Sequence, residues 1–333
     1  MTPLRRLTVL LAAVAVLGGT AAGYTAWAAR RDTAAASVSA PVTAAGAKAG
    51  DGAAGGAPGA GRLLFRTARG QVAGVPQDDP AAAPVPLGLT CNRFSTAGGT
   101  SVCLVARPGA LVTTDAVILD RSLRETRRIK LAGIPNRARV SPSGRMVSWT
   151  VFVTGDSYSD GKFSTWTGIL DTRTGYAVTN IEDIPLTLNG RRYHAPDVNY
   201  WGVTFAADDN RFYATVATGG KTYLVEGDYG RWRARTLREN VECPSLSPDG
   251  TRLVFKKRVS SDPRRMWRLH LLELSTMKET PLAETANVDD QAAWLDERTV
   301  MYARGGDVWS VPADGSGAPV PLVRGASSPV ATR

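Results

Sequence analysis

Apolar positions along this chain fall in short runs broken by polar turns, with no helical period over the greater part of its length. The clearest unit is CPSLSPDGTRLVFKKR, residues 243 to 258. Pro244 to Ser247 predicts a short strand, Pro248-Asp249-Gly250 a tight turn, and Leu253 to Phe255 the returning apolar strand. Pro presets φ at the first turn corner, Asp bonds the backbone ahead of it, and Gly accepts the left-handed conformation that follows. The unit is a β-hairpin.

The hairpin recurs as FSTAGGTSVCLV from Phe94, VSPSGRMVSW from Val140, FAADDNRFYA from Phe205, LSPDGTRLVF from Leu246 and WLDERTVMY from Trp294. A second hairpin, with an apolar first strand and a polar turn, ends in turn at Leu87, Leu131, Ile181, Leu237, Leu282 and Leu322. Six outer hairpins therefore face five complete inner ones. The chain resolves this mismatch if the tail, Ala326 to Thr332, supplies the missing inner strand to the unit begun by Leu63 to Leu87. The expected fold is all-β, a six-bladed β-propeller of four-stranded antiparallel blades closed by the carboxyl-terminal strand, with no open sheet edge at the seam. A spacing of about 40 to 50 residues suits such blades. Residues 181 to 198 form the longest departure from the repeat.

The pattern Ser-Pro-Asp-Gly-x-Arg-Leu-Val-Phe at Ser247 to Phe255, with a Trp-containing strand from Met266 to Leu274 behind it, resembles the TolB-like propeller repeat; Ser141-Pro142-Ser143-Gly144 carries the turn again. The resemblance covers roughly residues 62 to 333. The same repeat occurs in the propellers of prolyl-oligopeptidase-like enzymes, so it identifies an architecture. It implies an envelope protein that works by binding partners, as TolB does in the Tol-Pal system. The Ala-, Arg- and Gly-rich composition is similar to that of exported TolB-like proteins of high-GC actinobacteria.

The amino terminus departs from this pattern. Arg5 and Arg6 precede an uncharged, mostly apolar run from Leu7 to Ala29, and Ala26-Trp27-Ala28 offers a small-x-small cleavage site. Residues 1 to 31 are expected to be an export signal or, uncleaved, a single-span anchor, since the run is long enough to cross a hydrocarbon core of about 30 Å. Residues 32 to 61, rich in Ala and Gly, bury too little side-chain surface to offset ordering entropy and are expected to be a disordered tether to the propeller at 62–333. The protein is accordingly expected to be exported, extracellular or envelope-associated, and to touch membrane only through that first segment.

The net charge of +10 falls to +8 if residues 1 to 28 leave, because Arg5 and Arg6 are their only charges. Such a surface is either simply solvated or attracted to anionic wall polymer or lipid. No nucleic-acid-binding pattern appears, and the export signal argues against that partner. Outside the cytoplasm disulfides are permitted. Cys91 and Cys103 flank the turn at Ala97-Gly98-Gly99 and are the candidate pair, leaving Cys243 as a lone buried thiol.

Catalytic constellations are sparse. There is no Gly-x-Ser-x-Gly and only two histidines, His194 in the insertion and His270 in an apolar strand where a structural role is expected. Nothing has zinc-ligand spacing. Glu242, Asp289, Asp290 and Gln291 offer oxygen ligands to a hard cation, or bond backbone at loop entrances. No cofactor is expected.

First strands of a propeller line its channel, so residues just before them converge on one mouth whatever their separation in sequence. Here these are Asn92, Arg93, Asn136, Arg137, Asn199, Tyr200, Trp201, Glu242, Asp289, Asp290 and Gln291. The set suits a small polar ligand or a peptide end, with Trp201 as the natural anchor; the alternative is polar groups placed simply where water enters. The run Lys256-Lys257-Arg258 is expected to be a solvated face or to carry electrostatic attraction. Two functions follow. One is a non-catalytic, monomeric, exported propeller that binds an envelope protein or glycan. The other is a hydrolase or lyase acting on a sugar or lactone with acidic residues at the mouth.

Overall fold

A computed structural model describes residues 59–153 and 164–333. The expected export segment and all but the last three residues of the expected tether lie outside the described residues. The described part falls within one compact unit, Gly55–Arg333.

The first blade is built from β1 (Arg62–Thr67), β2 (Gln71–Pro76) and β3 (Val85–Thr90). The second holds β4 (Arg93–Ala97), β5 (Thr100–Arg107), β6 (Thr113–Leu119) and β7 (Glu125–Ala132). The third holds β8 (Ile134–Val140), β9 (Met146–Val153), β10 (Ser164–Asp171) and β11 (Ala177–Val178). Next come a short hairpin, β12 (Leu186–Leu188) and β13 (Arg191–Tyr193), and the fourth blade, β14 (Asn199–Phe205), β15 (Arg211–Thr218), β16 (Lys221–Asp228) and β17 (Arg233–Glu239). The fifth comprises β18 (Glu242–Leu246), β19 (Arg252–Arg258), β20 (Trp267–Glu273) and β21 (Glu279–Pro281). The sixth comprises β22 (Ala293–Trp294), β23 (Thr299–Arg304), β24 (Asp307–Pro312) and β25 (Val320–Val323), and the final strand is β26 (Ala326–Ala331).

The tail closes the ring as the repeat count required. β26 pairs antiparallel with β1, Leu63 opposite Ala331 and Thr67 opposite Ala326, giving the order β26-β1-β2-β3. Pro329, which has no N–H to donate, is tolerated because β26 has a partner strand on one side alone. Thr332 extends the seam: its N–H donates to the Arg62 carbonyl at 2.9 Å and its carbonyl accepts from Gly61 N at 3.0 Å.

Six blades result, but one is not four-stranded. The insertion folds back as the β12-β13 hairpin and adds β12 parallel to the outer strand β17, making a six-stranded sheet. The outer edge of an exposed strand is an open row of backbone donors and acceptors, and the inserted hairpin covers it. No alternation in 181–198 marked this pairing, because it is made to a strand that follows some fifty residues later.

Turn chemistry acts locally as the sequence implies. Gly250 sits at φ 72° and donates to the Ser247 carbonyl at 2.9 Å, while the Asp249 carboxylate accepts from Thr251 N at 2.9 Å. The core is not central. Apolar residues form six clusters, each filling the wedge between two neighbouring blades. One joins Leu63 and Phe65 of the first blade to Met301 and Val308 of the sixth. The seam is therefore packed as well as hydrogen-bonded. Cys91 and Cys103 form a disulfide that ties the entrance of β4 to β5.

Candidate functional site

Side chains alternate between faces of a strand. In the inner strands this sends one set into the inter-blade wedges and the other into the hub. At the end where β4, β8, β14 and β18 begin, a cavity of about 630 Å³ opens. Seven of the eleven residues expected at the mouth line it: Arg93, Asn136, Arg137, Asn199, Trp201, Glu242 and Asp289. Below it, Arg93, Arg137, Arg139, Asp290 and Gln291 surround a narrower space, and Arg139 continues into a pocket at the opposite end with Ser245, Trp294 and Arg333.

Two expected residues are not part of the mouth. Tyr200 is fully buried in the wedge between the third and fourth blades, packed with Ile169, Phe205 and Val216. Alternation explains it: Asn199 and Trp201 face the hub, so the residue between them faces the neighbouring blade. Its phenol is pushed up by burial. Asn92 is exposed and serves as a clamp, its side-chain oxygen accepting from Ala106 N at 2.7 Å. Gln291 is buried and donates to the carbonyls of Gly202 (3.3 Å) and Pro244 (2.9 Å), tying two first strands together. Asn199 is equally committed: its amide donates to Glu182 of the insertion at 2.5 Å and to the Thr165 carbonyl at 2.8 Å.

The basic run at 256–258 is a solvated face only in part, Arg258 being exposed and Lys256 buried. Lys256 is 4 % exposed and points into the mouth. Its ammonium lies 2.5 Å from Asp289 and 3.9 Å from Glu242, and 4.5 Å from the centroid of Trp267, where an aromatic face attracts a cation. Arg258 also lines the cavity, whereas Lys257 turns away to Glu279 at 2.5 Å. Burial pushes the Glu242 carboxyl above its usual value, although Lys256 pulls the other way. Counting back from the Pro248-Asp249-Gly250 turn sets Lys257 opposite Glu242, whereas in the ladder Lys256 lies there. The count slips by one because of a bulge between Glu242 and Ser245.

That bulge belongs to a tight junction of two blades. Cys243 adopts φ 48° and its N–H donates to Thr215 Oγ1 at 2.8 Å. Gly202 opposite, at φ 66°, would carry a Cβ only 2.9 Å from the Cys243 Cα. A side chain at 202 would thus force the first strands of the fourth and fifth blades apart at the wall of the cavity. Phe152, from β9, and Trp267, from β20, complete an aromatic lining with Trp201. Sequence reasoning passed over them because they belong to second and third strands that reach the mouth only at their ends.

The two histidines lie elsewhere. His270 is buried in β20 with Nδ1 2.7 Å from Glu279, and desolvation lowers its pKa; His194 is exposed in the loop after β13. Among the described residues no group of three or more His, Cys, Asp and Glu side chains is placed to hold a metal ion.

No protein-family model matches the sequence, and no curated protein is significantly similar to it. Among solved structures, TolB from Acinetobacter baumannii is similar at 14 % identity and a TM-score of 0.57, over 82 % of this chain and 67 % of that one. A chain of a nidogen/laminin complex is similar at 11 % identity and a TM-score of 0.52, over 81 % of this chain and 97 % of that one. An oligogalacturonate lyase in complex with manganese is similar at 9 % identity and a TM-score of 0.50, over 78 % and 73 %. At these identities the likeness is one of fold: with its six blades and the seam at β26, the chain is a six-bladed β-propeller similar in fold to TolB.

Proposed function

We propose that this chain is an exported, non-catalytic propeller that binds a protein or glycan partner at the bacterial cell envelope through its channel mouth. The observation that carries the reading is the mouth cavity itself, where three aromatic rings and charges of both signs converge from four blades and the loop leading into the sixth. Concave sites with apolar walls and a few convergent polar groups are the usual form of a binding pocket. The apolar segment 7–29 and the disulfide support an exported location, since such bonds persist in oxidising compartments. The test is capture of partners from envelope extracts by the full-length protein and by W201A. Loss of the same partner from W201A, with its unfolding midpoint unchanged, is the expected result. Equal capture by both would remove the mouth from the interaction.

A second reading, a hydrolase or lyase acting on a sugar or lactone, draws on one specific feature. Glu242 is held protonated to a higher pH than an ordinary carboxyl and faces the more exposed Asp289 across Lys256, a division of roles that suits general acid and base. It predicts turnover of oligogalacturonate or a sugar lactone that D289N abolishes. No turnover by the parent protein excludes it.

A further inference from the structure

Where the channel narrows below the mouth, three guanidiniums surround one carboxylate. Arg93 opens β4, while Arg137 and Arg139, two apart on β8, point to the same side. Asp290 lies 3.6 Å from Arg93 and 3.8 Å from Arg137, both beyond hydrogen-bond length. Arg137 spends Nη1 on its neighbour Asn136, at 2.7 Å from the side-chain oxygen, and Arg93 donates a long bond to Ser328 at 3.4 Å. Arg139 donates to the Ala292 carbonyl at 3.2 Å and to Ser245 at 3.4 Å. The Nε atoms of Arg137 and Arg139 are buried with no hydrogen-bond partner among the described residues.

Positive charge is thus concentrated and incompletely matched. Burial pushes the Arg139 guanidinium down to about 10, with Arg137 adding to the fall and Asp290 opposing it. A buried guanidinium is stable when an anion supplies both countercharge and two parallel acceptors, which is what a carboxylate presents. In the mouth above, Lys256 is already matched by Asp289 and Glu242. An anionic group entering from the mouth therefore gains most at Arg93, Arg137 and Arg139.

The rim indicates what carries the anion. Ile134 is 49 % exposed and lies opposite Phe152, a wall residue of the cavity. Leu111 and Val112 are exposed beside it, where Gly133 N bonds the Val112 carbonyl. Aliphatic side chains around an aromatic-walled, cationic well complement an acidic residue with apolar neighbours. A glycan would set hydroxyl groups against those same side chains and leave them without partners. We infer that the channel binds the carboxylate of an acidic peptide segment, seated between Arg93, Arg137 and Arg139 with its flanking apolar residues on the rim. The inference rests on the mouth being a binding site.

The test is calorimetric titration of the full-length protein with two matched pairs of probes: glutarate and neutral glutaramide, and the acetylated, amidated peptides Leu-Ile-Asp-Val-Leu and Leu-Ile-Asn-Val-Leu. Glutarate and the Asp peptide are expected to bind, their amide counterparts to bind at least about tenfold more weakly. R137Q and R139Q should each weaken the Asp peptide by about tenfold or more, while R191Q/R192Q, which removes charge from the outer hairpin, should not. Should R139Q fail to fold, R137K carries the test: it keeps the charge, loses the fork, and is expected to weaken binding by roughly fivefold. I134S should weaken the Asp peptide and leave glutarate unchanged. Equal binding of acid and amide, or indifference to the arginine variants, overturns the site. Inorganic phosphate tighter than glutarate overturns the carboxylate, and galacturonate tighter than the Asp peptide overturns the peptide. Partner capture that depends on Trp201 but not on Arg137 would end this inference alone. Glutarate binding without any captured partner would instead end the function proposed above.

Discussion

The seam at β26 gives the sharpest test of the fold, and Thr332 is the place to apply it. This residue is 8 % exposed and makes four hydrogen bonds across the closure. Its backbone N–H and C=O pair with Arg62 O and Gly61 N, while its hydroxyl accepts from Arg62 N at 3.0 Å and donates to the Gly59 carbonyl at 2.6 Å. T332V keeps the backbone pair and loses the hydroxyl bonds, a cost of about 2 kcal/mol at a net 1 kcal/mol each. Deleting Thr332 and Arg333 removes all four, about 4 kcal/mol on the same scale. Deleting 326–333 also uncovers β1 and the wedge around Phe65 and Met301, a loss comparable with the about 5–15 kcal/mol that holds a whole domain folded. In urea, followed by tryptophan fluorescence, a slope of about 3 kcal/mol/M converts the first step into a midpoint shift of roughly 0.7 M. The midpoints should fall in that order. A protein lacking 326–333 that unfolds cooperatively at the parent midpoint would refute closure through the tail.

Three further outcomes follow from packing and charge. In G227A the new Cβ would lie 2.1 Å from the Phe212 ring, so calorimetry should show a loss of about 1–3 kcal/mol; an unchanged melting temperature would mean the wedge is looser than described. Hydrogen bonds from Arg145 hold Asp171 at about 2, below its ordinary 3.8, so this pair's contribution is present above pH 3.8 and lost as pH falls toward 2. D171N should flatten that acid limb, and an identical pH profile would discount the pair. Glu242 has the opposite sign: its folded value is raised by burial, so the folded state holds the extra proton and stability declines as pH rises above 4.5 through the folded value. E242Q should abolish the decline, and an unaltered slope would place its cause elsewhere.

The repeat was legible because it is local. Ser247-Pro248-Asp249-Gly250 and Ser141-Pro142-Ser143-Gly144 encode their turns in adjacent residues, and the unequal numbers of inner and outer hairpins implied that the tail returns to β1. Their place at the start of first strands likewise put Arg93, Asn199, Trp201 and Glu242 at the mouth. Tyr200 was misplaced by treating consecutive residues as equivalent where a strand allows only every second one to face the hub.

What the chain alone determined was thus the unit, the number of blades and the means of closure, all of which rest on turn chemistry and apolar period. What only the tertiary structure decided was the hub. Lys256 became a buried partner of Asp289 and Glu242 through a one-residue bulge, and Arg139 met Arg93 and Asp290 from three different blades. Such encounters depend on register and on the angle between sheets, which no pattern along one strand records. The charge balance at the centre of the ring is set there, and with it the chemistry the channel can accept.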